Sequence, residues 1–192
     1  MWRCLLSILV FVLHGAPASA APITYILSGT GSGDVNGTAF TDAPFTFTFF
    51  GDTSNVVPVA PQIFNNGLET APATLEIEEF SLATLTDVGV FSNTRISSVG
   101  IQRPFLDIFI VSSPAFGTYD LRTAIGPIDG VASLPLSQGP FSTSLGEVTF
   151  DSYSDGASFE ARTMAVPEPA SVLLFGLGLA VVTRRFRQRR RH

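Results

Sequence analysis

Phe45-Thr46-Phe47-Thr48-Phe49 is the stretch that decides the fold class of this 192-residue chain. In an extended backbone, successive side chains point to opposite faces, so every Phe lies on one side and every Thr on the other. This alternation is typical of a strand with one buried and one solvated face.

Similar short apolar stretches lie on both sides of it, separated by Gly, Pro, Asn and Asp. They predict further strands at residues 23–28, 73–78, 105–111, 117–122, 146–151 and 157–163. Asn36-Gly37 and Asp155-Gly156 have the composition of tight hairpin turns, and the apolar side of the chain switches near Glu79, which predicts a bend. Because no long amphipathic helix interrupts the strands, the sequence predicts an all-β fold, an antiparallel β-sandwich of about 8–10 strands.

Two longer segments, residues 55–70 and 126–140, are predicted to be loops and are read most simply as plain connections. The glycine-rich run 29–33 fits a flexible hairpin rim better than a phosphate-binding loop, because it matches no phosphate-binding spacing and no Lys follows it. Residues 34–37 indicate a turn rather than a calcium loop, because the remaining ligands are missing.

Residues 1–20 have the three parts of a secretory signal peptide. Arg3 is basic, residues 5–13 are apolar, and Ala18-Ser19-Ala20 provides small residues before the predicted cleavage site. Cleavage there removes Cys4 and leaves residues 21–165 without Cys, His or Lys. Nucleophilic hydrolysis and zinc binding use those residue types, so we expect no cofactor, no metal site and no enzymatic activity of that kind.

The exported middle is acidic. Residues 21–166 hold four Arg and 15 acidic residues, so their formal charge is −11. A surface of that sign argues against binding to nucleic acid.

A pair of carboxylates is the remaining candidate for chemistry. If Asp155-Gly156 turns a hairpin, Asp151 lies opposite Glu160, as a solvated pair or as a pair bridged by a cation such as calcium. Glu76, Glu78 and Glu79 are read as a solvated strand face. For a sugar-binding surface, the tyrosines available in the middle are Tyr25, Tyr119 and Tyr153.

The other end of the chain combines three features in a fixed order: Val166-Pro167-Glu168-Pro169, an uncharged apolar run at 170–183, and a terminal Arg cluster. As a helix the run spans roughly 22 Å, which is short for a hydrocarbon core of about 30 Å. It is apolar on all sides, however, and basic residues follow it. We therefore predict a transmembrane helix, followed by a cluster of basic residues that stays on the cytoplasmic side and stops further transfer through the membrane. The residues of that membrane stop are Arg184, Arg185, Arg187, Arg189, Arg190 and Arg191.

In this order of parts the chain resembles the PEP-CTERM family of exported bacterial proteins. The opening of the middle, residues 23–55, also resembles a recurrent beginning of their ectodomains. The resemblance implies a substrate of exosortase, a membrane-embedded enzyme similar to cysteine transpeptidases, in a Gram-negative bacterium. It implies that Pro167, Glu168 and Pro169 are sorting-recognition residues, that the precursor is anchored in the inner membrane, and that processing delivers the protein to the cell surface or outside the cell.

The sequence therefore predicts a signal peptide (1–20), a β-sandwich ectodomain (21–165) and a sorting signal (166–192). The function expected is that of a non-enzymatic surface or extracellular-matrix protein. Two alternatives remain: a carbohydrate-binding module that contacts extracellular polysaccharide, and a secreted polysaccharide hydrolase that uses two carboxylates about 5–10 Å apart.

Overall fold

The computed structural model describes residues 21–67, 73–104, 106–133 and 139–164. Over those residues the protein is all-β, and twelve strands form one antiparallel sheet, more than the 8–10 predicted. The strands, β1 to β12 in chain order, are Pro22–Val35, Thr38–Asp52, Val56–Ala60, Ile63–Asn66, Ala73–Ile77, Ala83–Leu85, Gly89–Asn93, Ser98–Arg103, Leu106–Ser112, Ile125–Ser133, Phe141–Thr143 and Gly146–Thr163.

The sheet folds over on itself. Its strand order is β3-β4-β7-β8-β9-β10-β12-β1-β2-β5-β6, and β11 pairs with the first residues of β12. Three strands separate β2 from β9 along the sheet, yet the ring centroids of Phe45 on β2 and Phe109 on β9 are 5.0 Å apart. Two halves of one sheet therefore face each other around a common core, which makes the architecture sandwich-like.

The alternation that predicted β2 is confirmed. Phe45, Phe47 and Phe49 are at most 2% exposed, whereas Thr46 and Thr48 are half-buried on the outer face. The rings of Phe45 and Phe47 pack against Phe109, Phe141 and Phe150 at centroid distances of 4.7–6.4 Å. Aromatic burial of this extent provides much of the stability of the core.

The turn at Asn36-Gly37 is also confirmed. It joins β1 to β2, and both residues have positive φ angles, 51° and 83°, as a tight hairpin turn of this kind requires. The predicted bend near Glu79 is present as well, because β5 ends at Ile77 and Glu79 has a φ of 73°. The strand predicted at 105–111 is present as β9, residues 106–112, which lies between β8 and β10.

The predicted hairpin at Asp155-Gly156 is wrong. Residues 146–163 form one long strand, β12, which pairs with β1 along its length. Between the pairs Gly29↔Ala157 and Gly31↔Tyr153 the register shifts, and Asp155 and Gly156 lie in that irregularity. The dipeptide permits a bulge here rather than a chain reversal, because a long partner strand continues past it.

Other sequence predictions also fail. Residues 117–122 do not form a strand: a 3-10 helix at Pro114–Thr118 precedes irregular backbone, and its Phe116 is fully buried in the core. The predicted loop at 55–70 contains the β3–β4 hairpin, and the predicted loop at 126–140 contains most of β10. β4 and β10 pair with β7, β9 and β12, which lie outside the predicted loops, and no local signal reports such pairing.

The glycine-rich run lies inside β1 instead of at a hairpin rim. A Cβ atom at Gly33 would lie 2.0 Å from the carbonyl oxygen of Thr149 on β12, and one at Gly29 would lie 2.8 Å from the Phe45 ring. Glycine is therefore required for the close approach of β1 to its neighbours.

Gly33→Ala is expected to lower the free energy of unfolding by about 3 kcal/mol, since the backbone of β12 must move to admit the methyl group. Gly156→Ala is the matched control, because a Cβ at Gly156 meets no atom within 4 Å. Urea denaturation of residues 21–164 measures both changes. Equal losses for the two variants would contradict this account of β1.

Candidate functional site

The two ends of the described domain lie side by side. Thr163, the last residue of β12, pairs with Ile23 on β1, and the Met164 amide donates to the Pro22 carbonyl at 3.1 Å. The Ala21 amide donates to the Thr53 hydroxyl at 3.1 Å, and the Thr53 amide donates back to the Ala21 carbonyl at 3.0 Å. Whatever follows Met164 therefore leaves the domain from the end at which β1 begins.

A shallow groove follows β12 on the outer surface of the sheet. Two concavities of about 370 and 620 Å³ succeed one another along residues 156–163, a length of about 26 Å in an extended strand. We name this feature the β12 groove. Its polar lining residues are Ser28, Thr30, Asp129, Ser158, Glu160, Arg162 and Thr163.

Strand register explains why these residues meet. Ser158 on β12 pairs with Ser28 on β1 and with Asp129 on β10, so three oxygen-bearing side chains form one row. The row continues onto β2, where the hydroxyls of Ser28 and Thr46 are 3.0 Å apart. Hydroxyl and carboxylate oxygens in such a row can accept hydrogen bonds from a polyhydroxylated ligand.

Electrostatics fix the charge state of Glu160. The Arg162 guanidinium donates two hydrogen bonds of 2.7 Å to its two carboxylate oxygens. These bonds hold the pKa of Glu160 below its ordinary value of 4.5. Glu160 is therefore ionised at neutral pH, accepts hydrogen bonds and does not act as a general acid there.

A second cavity lies where the two halves of the sheet meet, and we name it the seam pocket. Its volume is about 170 Å³, and Asp87 and Arg103 are the charged residues that line it. The apolar lining residues are Leu85, Val88, Pro104, Ile108 and Phe141. The cavity has room for a few water molecules or a small organic group, much less than a polymer requires.

The sequence that follows β12 matches a known motif. Residues 165–190 match the family model of the PEP-CTERM protein-sorting motif. The chain carries a PEP-CTERM sorting signal. Such a motif implies export, a membrane-anchored precursor and exosortase as the processing partner. The comparisons with curated proteins and with solved structures found no match.

The residues predicted to act in PEP-CTERM sorting lie outside the described part of the chain. They are Pro167, Glu168, Pro169, Arg184, Arg185, Arg187, Arg189, Arg190 and Arg191, and the predicted signal peptide lies outside it too. Among the residues that the structure describes, no helix is long and apolar enough to cross a membrane.

The predicted pairing of Asp151 with Glu160 is wrong. Both residues belong to β12, nine positions apart, so they do not face each other across a hairpin. The described residues hold no group of three or more His, Cys, Asp or Glu side chains that could bind a metal ion.

The tyrosines of the described domain do not form an exposed sugar-binding platform. Tyr25 and Tyr119 are buried in the core and Tyr153 is half-buried against it. Burial raises the pKa of all three. The Tyr25 hydroxyl donates to the Leu121 carbonyl and accepts from the Asn66 amide, both at 2.7 Å, so its role is structural.

Glu76, Glu78 and Glu79 are exposed, but only Glu76 lies on a strand face as predicted, because β5 ends at Ile77. Sequence reasoning missed the β12 groove because its residues come from β1, β10 and β12, which are more than 100 positions apart at the extremes. Because the sequence predicts a hairpin at Asp155-Gly156, it does not predict the single long strand, β12, that brings these residues together.

Proposed function

We propose that the ectodomain is a non-enzymatic structural component of the cell surface or extracellular matrix, delivered there through its PEP-CTERM signal. The observation that carries this proposal is the closed aromatic core beneath polar outer faces. Phe and Tyr side chains from both halves of the sheet fill the interior, and the outer face of β1, β2 and β12 presents mostly Thr, Ser, Glu and Arg, with Ile26 and Phe50 among them.

The closure of the sheet supports the same proposal. The Ser144 amide donates to the Thr84 carbonyl at 3.0 Å, and the Thr84 amide donates to the Ser144 hydroxyl at 2.9 Å. The turn between β11 and β12 thereby covers the outer edge of β6. A covered edge suits a protein that must persist outside the cell without disulfide bonds, because an open edge invites uncontrolled pairing.

Dose dependence separates a structural component from an enzyme. We expect the amount of matrix retained per cell to rise in proportion to the amount of the protein over a titrated expression range. A catalyst instead reaches its full effect at trace amounts, because each molecule acts many times. A saturating response at trace expression, with release of reducing sugar ends, would favour the hydrolase.

Carbohydrate binding is the second candidate, and the β12 groove favours it. The groove is open, about 26 Å long and lined by hydroxyl and carboxylate oxygens that suit sugar hydroxyls. Both carboxylate oxygens of Glu160 already accept hydrogen bonds from Arg162, which favours a role in binding over that of the general acid of a hydrolase.

Asp129→Asn combined with Ser158→Ala tests the groove. If it binds sugar, the retention of residues 21–164 on isolated extracellular polysaccharide should fall about tenfold, the effect of losing roughly 1.4 kcal/mol of hydrogen bonding. Asp87→Asn, in the seam pocket, is the matched control and should leave retention unchanged. Equal retention by all three proteins would exclude the groove as the binding surface.

A further inference from the structure

The sorting motif begins immediately after the last hydrogen bond of the sheet. Met164 still donates to the Pro22 carbonyl, and the motif match starts at residue 165. Only residues 165 and 166 lie between Met164 and Pro167, so an extended chain covers at most about 11 Å over the three Cα-to-Cα steps that join them. Strands lie about 4.8 Å apart, and the five strands β10, β12, β1, β2 and β5 are therefore about 19 Å wide at their centres.

The folded domain is therefore wider, at about 19 Å, than the distance of about 11 Å that the chain between the domain and the motif can span. A membrane-embedded enzyme that binds an extended peptide around Pro167-Glu168-Pro169 meets the end of the sheet unless more chain becomes available. The end of β12 is the nearest source of such chain.

The end of β12 is held weakly in comparison with its middle. β10 pairs with β12 as far as Ala161, which is 2% exposed, and Phe159 is fully buried. Beyond Ala161 the strand pairs with β1, through Arg162 opposite Thr24 and Thr163 opposite Ile23. The side chains of Arg162, Thr163 and Met164 are exposed. Detaching these three residues breaks backbone hydrogen bonds to one neighbour and removes Thr163 from beside Ile23 on β1, whereas detaching Ala161 and Phe159 opens the core between the two halves of the sheet.

We propose that residues 162–164 are a detachable segment whose release from β1 gives exosortase access to the motif. Release lengthens the free chain between the domain and Pro167 from two residues to five, so that six Cα-to-Cα steps give a reach of about 20 Å. Ala161 and Phe159 set the limit of detachment and keep the domain folded while the motif is bound. This inference rests on processing of the PEP-CTERM signal by exosortase.

A cross-strand disulfide tests the segment. Thr24 and Arg162 are directly paired on the outer face, a spacing that a disulfide can bridge. In the full chain, expressed in a host with exosortase, oxidised Thr24→Cys/Arg162→Cys precursor should be processed about tenfold more slowly or worse, since the locked strand cannot detach. Reduction of isolated membranes should restore processing.

Two further variants complete the test. Thr48→Cys/Thr74→Cys places a disulfide between β2 and β5 on the same outer face and leaves β12 unrestrained, so its oxidised form should be processed at the wild-type rate. A six-residue Gly-Ser insertion between Met164 and Ala165 supplies the missing chain directly and should restore processing of the locked precursor.

The outcomes separate the inference from the function on which it rests. If the oxidised Thr24–Arg162 variant is processed as fast as wild type, or if the insertion fails to restore it, the detachable segment is wrong although sorting stands. If the wild-type precursor itself is not processed in a host with exosortase, the sorting function fails and this inference fails with it.

Discussion

Replacing Phe159 with alanine is expected to lower the free energy of unfolding of residues 21–164 by about 3–5 kcal/mol. Phe159 is fully buried on β12, the strand that pairs with both β1 and β10. Its ring centroid lies 5.5 Å from that of Phe116, 5.6 Å from Tyr119 and 6.3 Å from Tyr25. Truncation leaves a cavity among aromatic rings that their own strands hold in place.

Such a loss is a large part of the 5–15 kcal/mol that stabilises a typical domain. Phe50→Ala is the matched control, because Phe50 lies on the outer face of β2 and is 45% exposed. Its replacement should change the free energy by about 0.5 kcal/mol or less. Urea denaturation, followed by tyrosine fluorescence, compares the two; similar losses would mean that the core is not centred on β12.

Local patterns predicted the elements whose evidence is local. The Phe-Thr alternation at 45–49 indicates a strand with one buried face, and Asn36-Gly37 indicates a turn with two positive φ angles. Each of these signals lies within a few consecutive residues. Asp155-Gly156 carries an equally clear turn signal, but β1 pairs with β12 on both sides of it, and only the register shifts there. Its role depends on a partner more than 120 positions away, which composition and spacing do not report.

The same distinction separates the two candidate sites. The sorting signal is contiguous, with motif, apolar run and Arg cluster in sequence order, and it was identified from the sequence alone. The β12 groove brings together Ser28, Asp129 and Ser158, which become neighbours only through the pairing of three strands. Fold class and sorting signal were therefore predictable, whereas the ectodomain surface required the structure.

Glu168→Gln is expected to block processing while leaving membrane insertion intact. The amide has nearly the shape of the carboxylate but no charge, and it lies before the apolar run, so the hydrophobic driving force for insertion is unchanged. Losing one charged partner of a buried recognition contact costs about 2–5 kcal/mol, which corresponds to roughly a 30-fold slower reaction or worse. The precursor should accumulate in the membrane.

Intact mass spectrometry of membrane and medium fractions measures this outcome. The secreted wild-type protein should lack Arg184 to Arg191, whereas the Glu168→Gln protein should remain in the membrane with those residues present. Glu147→Gln, an exposed change of the same chemistry on β12, controls for effects of charge on export and should be processed normally. A secreted wild-type form that still carries Arg191 would mean that the motif does not direct cleavage. Normal processing of Glu168→Gln would instead mean that the enzyme recognises the two prolines and the membrane stop, and does not need the carboxylate of Glu168.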